Sequence, residues 1–347
     1  MKRKVFLRNM IYGLGGVTLL GACSGKSEAV PRVDTPTPDP IKTSGKVRLG
    51  IITDVHHDFF PDAEERLSKF IRAAEAAQVD FIIQLGDFVY PAVKNTSFVN
   101  IWNSFKGKKY HALGNHDMDA GTKSAFMSFV GHNLGAHYSF DAGGFHFVVL
   151  DNNFIKQGNT YVDYANKNYT NYAGSAIAHV SPSQIEWLRE DLSKTDKPSI
   201  LFSHQPLNNS ISNSQEVLGL IREENKKGKK VIAAFSGHLH KNWSMAVDDV
   251  HHVQINSASY FYVNPEHPKY YGRYPKDVED KYPILPQMAP YDDSLFAIVE
   301  IDGPSRTLNI EGRNANFMPP SPYDLGYYTN QGQTSPSSNV DSRALKF

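Results

Sequence analysis

Five short apolar runs in this sequence each end in residues that can bind a metal ion or move a proton. Residues 47–53 lead into Asp54-Val55-His56, and residues 81–85 into Gly86-Asp87. Residues 110–113 lead into Gly114-Asn115-His116-Asp117, Ser199–Ser203 into His204, and Val231–Ser236 into Gly237-His238-Leu239-His240. Carboxylate, amide oxygen and imidazole make a borderline-hard donor set without thiolate. Such a set suits Zn, Mn, Fe, Co or Ni rather than Cu(I) or an iron–sulfur cluster. Asp54, His56, Asp87, Asn115, His204, His238 and His240 are too many ligands for one ion and enough for two, if one carboxylate is shared. Asp87 is the natural bridge, because Gly86 lets the backbone turn sharply just before it. Two ions held in this way would activate water and steady the attacking and leaving oxygens of an in-line displacement. That is the chemistry of a metallohydrolase.

The elements that must position these groups are legible around them. The apolar runs read as buried strands of an α/β sheet, and side chains just past the carboxyl ends of such strands converge in one crevice. Residues 64–78 carry Leu67, Phe70, Ile71 and Ala74 at helical spacing between the first two runs, which makes a βαβ unit. Ser181-Pro182-Ser183-Gln184 is a capping box with Pro at the first helical position, opening a helix that buries Ile185, Leu188 and Leu192. A further helix is expected over residues 215–225. Residues 138–140 and Phe145–Leu150, separated by Asp141-Ala142-Gly143-Gly144, read as a β-hairpin. Residues 251–263 and 295–301 are further strand candidates. Residues 152–180, rich in Asn and Tyr, show no period and read as a long loop. From Asn314 onward the chain is polar, a surface strap or a disordered tail.

The motifs Asp54-x-His56, Gly86-Asp87, Gly114-Asn115-His116-Asp117, His204 and Gly237-His238-x-His240 occur in the order of the calcineurin-like metallophosphoesterase superfamily, which this chain resembles. Tyr138-Ser139-Phe140, Val149-Leu150-Asp151 and His204-Gln205-Pro206 look like bacterial members. The resemblance implies an α/β fold, a four-layer α/β/β/α sandwich with two mixed sheets (the metallo-dependent phosphatase fold). It implies two divalent or mixed-valence ions (Mn, Fe, Zn, Co or Ni), one held by Asp54, His56, Asp87 and His240 and the other by Asp87, Asn115, His204 and His238. It further implies hydrolysis of phosphate monoesters or diesters by a metal-bridging hydroxide. His116 would touch the phosphate and protonate the leaving oxygen, with Asp117 orienting it. Gly86-Asp87-Phe88-Val89-Tyr90 resembles the Gly-Asp-x-x-Tyr motif of purple acid phosphatases, where the Tyr binds Fe(III). Those enzymes usually have Gly where His56 stands, so Tyr90 is read here as a packing or supporting residue. The rival reading is a non-catalytic phosphate-ligand-binding protein on the same fold. A degenerate site of that kind would have lost His116 or a ligand, and none is missing.

The remaining histidines and tyrosines receive plainer readings. His57 points to the opposite face from His56, His111 and His146 are satisfied core groups, and His132, His137 and His179 lie in loops or on the surface. Tyr161, Tyr164, Tyr169 and Tyr172 are read as packing the long loop onto the domain in preference to stacking on a nucleobase or sugar, and Tyr260-Phe261-Tyr262 as a core strand in preference to a pocket wall beyond His240. No Gly-x-Ser-x-Gly or His-Glu-x-x-His is present, so serine hydrolase and zincin chemistry gain no support.

The N-terminus reads as an export signal. Lys2, Arg3, Lys4 and Arg8 precede a short apolar stretch over residues 10–20, too short to span a bilayer. Leu20-Gly21-Ala22-Cys23 resembles a bacterial lipobox. The expected division is a signal peptide over 1–22, a tether over 23–45 containing Pro31, Pro36, Pro38 and Pro40, a catalytic domain over 46–313 and a tail over 314–347. The implied place is the bacterial cell envelope, with the lipid on Cys23 in the membrane. Cys23 is the only cysteine, which excludes a disulfide within the chain. The formal net charge is zero and no basic stripe points to nucleic acid. The partner is then a phosphate ester substrate.

Overall fold

The computed structural model describes residues 45–228, 230–263, 269–326 and 335–347. The signal peptide and nearly all of the tether expected at the N-terminus, with Cys23, lie outside the described residues. In chain order the strands are β1 (Lys46–Ile52), β2 (Phe81–Gln84), β3 (Lys108–His111), β4 (Tyr138–Ala142), β5 (Phe145–Leu150), β6 (Phe154–Gln157), β7 (Thr160–Asp163) and β8 (Ser199–Ser203). They continue with β9 (Val231–Ser236), β10 (Trp243–Val247), β11 (Val250–Gln254), β12 (Tyr260–Tyr262), β13 (Met288–Pro290), β14 (Ala297–Asp302), β15 (Thr307–Glu311) and β16 (Arg343–Lys346). The helices are α1 (Ala63–Ala76), α2 (Thr96–Ser104), α3 (Lys123–Phe129), α4 (Pro182–Ser193), α5 (Ser214–Lys226) and α6 (Lys276–Lys281).

Two six-stranded sheets, ordered β16-β15-β14-β1-β2-β3 and β10-β11-β9-β8-β5-β4, face each other. Both are mixed: β1, β2 and β3 run parallel and β14 antiparallel to β1, while β11, β9, β8 and β5 run parallel between antiparallel edges. The two-residue period of the strands sorts their side chains between layers. Leu49, Ile51, Phe81 and Ile83 of the first sheet meet Phe145, Phe147, Phe202 and Phe235 of the second in one core cluster. The alternate residues face helices. Ile52 and Ile82 pack under Leu67 and Phe70 of α1 and Trp102 of α2. Val148, Leu150 and Leu201 pack under Leu188 of α4 and Val217 of α5. Strands covered on both faces carry nearly continuous apolar sequence, which is why these runs are readable. The result is the expected four-layer α/β/β/α sandwich.

Several local features depart from the sequence reading. Ser181 does cap α4, accepting from the Gln184 amide at 3.3 Å. The Gln184 side chain, however, does not complete the box; it bonds both backbone groups of Asp151, at 2.8 and 2.6 Å, and so fixes the end of β5. The long segment 152–180 is not structureless: β6 and β7 form a hairpin about Gly158, whose φ of 60° suits glycine. The segment after Asn314 returns to the sandwich, with β16 hydrogen-bonded to β15 and Val340 in the inter-sheet core. His179, expected in a loop or on the surface, lies in a loop but is buried, bonded to the Ser175 carbonyl at 2.8 Å.

A buried arginine secures the segment behind the strand ends. Arg66 of α1 binds Asp62 and donates to the carbonyls of Ala258, Tyr291 and Asp293. At the far end of the second sheet, His146 bridges Asp141 and Asp191, each at 2.8 Å. Asp191 also accepts from Ser139 at 2.8 Å, and Lys197 binds Asp141. Burial works against charge on His146, but the two carboxylates outweigh it and its pKa is raised. A folded pKa above the unfolded value of about 6.5 gives stability that is complete below that value and is lost as pH rises through the folded pKa. His146→Gln is therefore expected to lower Tm more at about pH 6 than at about pH 9, checked by thermal unfolding at both; equal losses would remove the charged bridge from consideration.

Candidate metal centre

The turns that follow β1, β2 and β9 put their polar side chains inward by an uncommon backbone route. Asp54, His56, Asp87, His238 and His240 all have positive φ, between 51° and 73°. A non-glycine residue there costs about 1–3 kcal/mol and persists only where surrounding structure enforces it. Here the enforcement is visible. The amides of Asp54 and His56 donate to the carbonyls of Gly86 and Asp87, each at 3.0 Å, locking the first two turns together. Ser257 and Ser259 donate from behind to the carbonyls of Asp54 and Val55, each at 2.9 Å. The glycines of the motifs are demanded by close approach. Gly86 has φ of 100°, and a Cβ on Gly237 would collide with Thr53 Oγ1 and Asp54 Oδ2.

Every residue singled out by the motifs comes to this one place. Asp54, His56 and His240 offer ligand atoms within 4.8 Å of one another, and Asp87, His204 and His238 form a second such group. Asn115 turns its Oδ1 to 3.1 Å from His204 Nε2. His204 Nδ1 donates to the Leu85 carbonyl and His240 Nδ1 to the Tyr260 carbonyl, both at 2.8 Å. These bonds fix Nδ1 of each ring as N–H and aim its Nε2 inward, as the atom available to a cation.

The inward nitrogens face one another at the separation that two ligands of one cation require. His56 Nε2 is 3.1 Å from His240 Nε2, and His238 Nδ1 is 3.2 Å from His204 Nε2. Two nitrogens each about 2.0–2.1 Å from one ion would stand about 3 Å apart. Asp54 is fully buried, yet only its Oδ2 is satisfied, by Thr53 Oγ1 at 2.6 Å and the His238 amide at 2.9 Å. Its Oδ1 has no hydrogen-bond partner and lies 3.3 Å from His240 Nε2. The residues present fit a pair of cations.

The electrostatics of the cluster point the same way. Burial pushes His56 and His238 down to about 3. Burial opposes charge on His204 as well, but Asp87 at 3.2 Å raises it to about 9. Burial would raise Asp54 and Asp87, yet His240 beside the first and His204 beside the second hold both carboxyls below the ordinary range. For His116, burial works against charge while Asp87 and Asp119 favour it, and its pKa is raised.

Asp117 does not orient His116, contrary to the sequence expectation. Its carboxylate accepts from the amides of Phe88, Val89 and Gly114 at 2.7, 3.1 and 2.8 Å, so it clasps two of the ligand-bearing turns together. Burial and the nearby Asp87 push it up to about 7. The carboxylate on His116 Nδ1 is Asp119, at 2.8 Å. Residues 116–118 form a single 3-10 turn, which sets i and i+3 side by side and turns i+1 away. Tyr90 directs its hydroxyl to Asp119 at 3.1 Å, and burial beside that carboxylate raises its pKa, keeping it protonated. Tyr169, read as a packing residue, reaches the site and donates to Asp119 at 2.6 Å. The i+3 spacing of His116 and Asp119 is the available signal for the first; nothing in the sequence marks Tyr169, Ser257 or Ser259.

The close approach at Gly237 generates a test. Gly237→Ala is expected to cost about 1–3 kcal/mol through overpacking. Gly219→Ala, in α5 with nothing near its added Cβ, is expected to gain about 0.5–1 kcal/mol. Urea unfolding of the two variants would show opposite signs; a neutral Gly237→Ala would contradict the tight junction of the first and last motifs.

Comparison with known proteins agrees with this geometry. The family model for calcineurin-like phosphoesterase matches residues 47–242, more than half of the chain. Purple acid phosphatase 23 from Arabidopsis thaliana is 33% identical over 117 residues, which are 32% of this chain and 21% of that protein. The chain thus matches only about a fifth of that relative's length. A dimetal phosphatase from Danio rerio superposes with a TM-score of 0.54 at 14% identity, covering 81% of this chain and 99% of that one, and shares the fold. The purple acid phosphatase PPD1 from yellow lupin (Lupinus luteus) gives a TM-score of 0.44 at 15% identity, over 87% of this chain and 55% of that one. With the motif glycines, the buried donors and the two ligand groups in register on this sandwich, the chain belongs to the calcineurin-like phosphoesterase family.

Proposed function

We propose that this chain hydrolyses phosphate monoesters or diesters at a two-ion centre. Asp54, His56 and His240 would hold one ion, and Asn115, His204 and His238 the other, with Asp87 shared. The observation that carries this reading is the position of Asp87 Oδ2, 3.7 Å from His56 Nε2 of one group and 3.2 Å from His204 Nε2 of the other. A single oxygen facing both groups is what a shared ligand requires. The donor set suits Mn, Fe, Zn, Co or Ni, as a divalent or mixed-valence pair. When bound, such a pair supplies a nucleophile from water at neutral pH and balances charge on the phosphoryl oxygens.

The chain's own residues do the rest. Two carboxylates among the ligands leave residual positive charge against two divalent ions, which draws in an anionic phosphate ester. His116 stands at the rim, its side chain 32% exposed where the ligand groups are mostly buried. With Nδ1 engaged by Asp119, Nε2 is the ring nitrogen left to meet substrate. His116 donates its proton to the leaving oxygen from there, acting as general acid. Asp117 keeps the Gly86 and Gly114 turns at the spacing this needs.

We propose the cell envelope as the place of action, on the positive segment and lipobox that precede Cys23. No helix among the described residues is long and apolar enough to cross a membrane. Cys23→Ala is expected to move the protein from the membrane to the soluble fraction; unchanged membrane association would sink the anchor.

For the reaction, His116→Ala is expected to retain its metals and lose about 10²–10⁴-fold in kcat with an alkyl or phenyl leaving group, and far less with 4-nitrophenyl. Hydrolysis of the paired esters with metal analysis checks it, and loss of metal in the variant would contradict an acid role.

A further inference from the structure

We infer that Asp119 is a positioning residue that fixes the tautomer and direction of the His116 imidazole, and that Tyr169 sets Asp119 from the long segment 152–180. The long segment thereby becomes part of the machinery for protonating the leaving group. The inference rests on His116 being the acid, as proposed above.

The contacts around Asp119 leave it one geometry. Its side chain is 3% exposed. Oδ2 accepts from His116 Nδ1 at 2.8 Å and from the Tyr90 hydroxyl at 3.1 Å, and Oδ1 accepts from the Tyr169 hydroxyl at 2.6 Å. Lys167 Nζ stands 3.5 Å from Oδ2. A buried carboxylate with both oxygens engaged cannot rotate without breaking charge-assisted bonds. It accepts only, so Nδ1 keeps its hydrogen throughout: the protonated ring gives its Nε2 hydrogen to the leaving oxygen and is left as the neutral Nδ1–H tautomer. The other walls of His116 are aromatic: Phe59 edge-on at 5.1 Å and the His56 ring at 5.4 Å. Neither can choose a tautomer. The Tyr169 hydroxyl also lies 3.3 Å from His116 Nδ1, but its hydrogen goes to Asp119 at 2.6 Å, so toward Nδ1 it can only accept and the choice rests with Asp119.

The plainer reading is that Asp119 staples the long segment to the turn beneath it. That docking is already supplied by other contacts. The amides of Asn166 and Lys167 donate to the carbonyls of Gly121 and Met118 at 2.8 and 3.1 Å, and Thr122 bridges Ala165. Tyr164 is buried and stacks on Tyr169 at 4.6 Å. Asn166 and Lys167 moreover hold φ of 47° and 61°, a costly pair for non-glycine residues. That kink sits just before the turn that carries Tyr169 toward the centre. The Tyr169 hydroxyl donates once, to Asp119, and accepts from Asn115 Nδ2 at 3.3 Å. Asn115 is thereby left with its Oδ1 toward His204. One hydroxyl thus touches both the partner of the acid and a proposed metal ligand.

Asp119→Asn and Tyr169→Phe test this in the metal-loaded protein. Asn keeps the shape but can present N–H to His116 Nδ1, which selects the wrong tautomer, as in the Asp→Asn variant of the serine-protease triad. Asp119→Asn is expected to lower kcat about 100-fold for a phenyl leaving group and within about threefold for 2,4-dinitrophenyl, in whichever ester series the wild type turns over. KM and metal content should hold. Tyr169→Phe should move the same way by about tenfold. The ¹⁵N shifts of His116 should report Nδ1–H in wild type and loss of that tautomer in Asp119→Asn. Equal losses on both esters, loss of metal, or an unchanged tautomer would overturn the inference. Should His116→Ala itself show no dependence on the leaving group, the acid reading falls; should it show one while Asp119→Asn does not, only the positioning role falls.

Discussion

A set of metal-ligand atoms buried at a single point and facing one another is the constraint that shapes this molecule. Asp54 Oδ1, Asp87 Oδ2 and the inward nitrogens of His56, His204, His238 and His240 meet with water excluded from most of them. Burying such groups without a counter-charge is unfavourable, and the mismatch surfaces as His204 raised to about 9 while His56 falls to about 3. A cation in each group would relieve the conflict. The positive-φ turns add their own cost at five of the ligand positions, of about 1–3 kcal/mol each. Both penalties must be offset by the scaffold and by whatever the site binds.

The scaffold offsets them by being covered on every face. Each sheet is packed by helices outside and by its partner inside, so the strand ends cannot shift independently. The polar links are then placed at the strand ends: Gly86 to Asp54, Asp117 across the second and third turns, Ser257 and Ser259 behind the first. Arg66 anchors the segment carrying those serines to α1. Rigid strands followed by strained, cross-linked turns give the precision that a metal centre needs, while the long segment 152–180 brings Tyr169 and Lys167 to the rim.

Much of this architecture is legible in the amino-acid sequence. Strands buried on both faces announce themselves as apolar runs, and their ends carry the ligands, so all seven ligand candidates can be named from Asp54 to His240. What does not show is whatever depends on the direction of a side chain within a turn. Asp117 adjoins His116 in sequence, yet the 3-10 turn presents Asp119 to the imidazole instead. Gln184 satisfies the pattern of a capping box but commits its side chain to Asp151. The hairpin of β6 and β7 has only four residues in each strand, too few for a period to emerge. The edge strand β16 alternates half-buried and exposed residues in a short polar stretch, which composition alone reads as tail.

The most direct test of the shared centre is a metal titration of chelated protein, comparing wild type with Asp87→Asn by elemental analysis after dialysis. Two equivalents per chain are expected in wild type, with both ions weakened together in the variant. A single equivalent in wild type, or a variant that loses one ion while holding the other at unchanged affinity, would contradict a two-ion site bridged by Asp87.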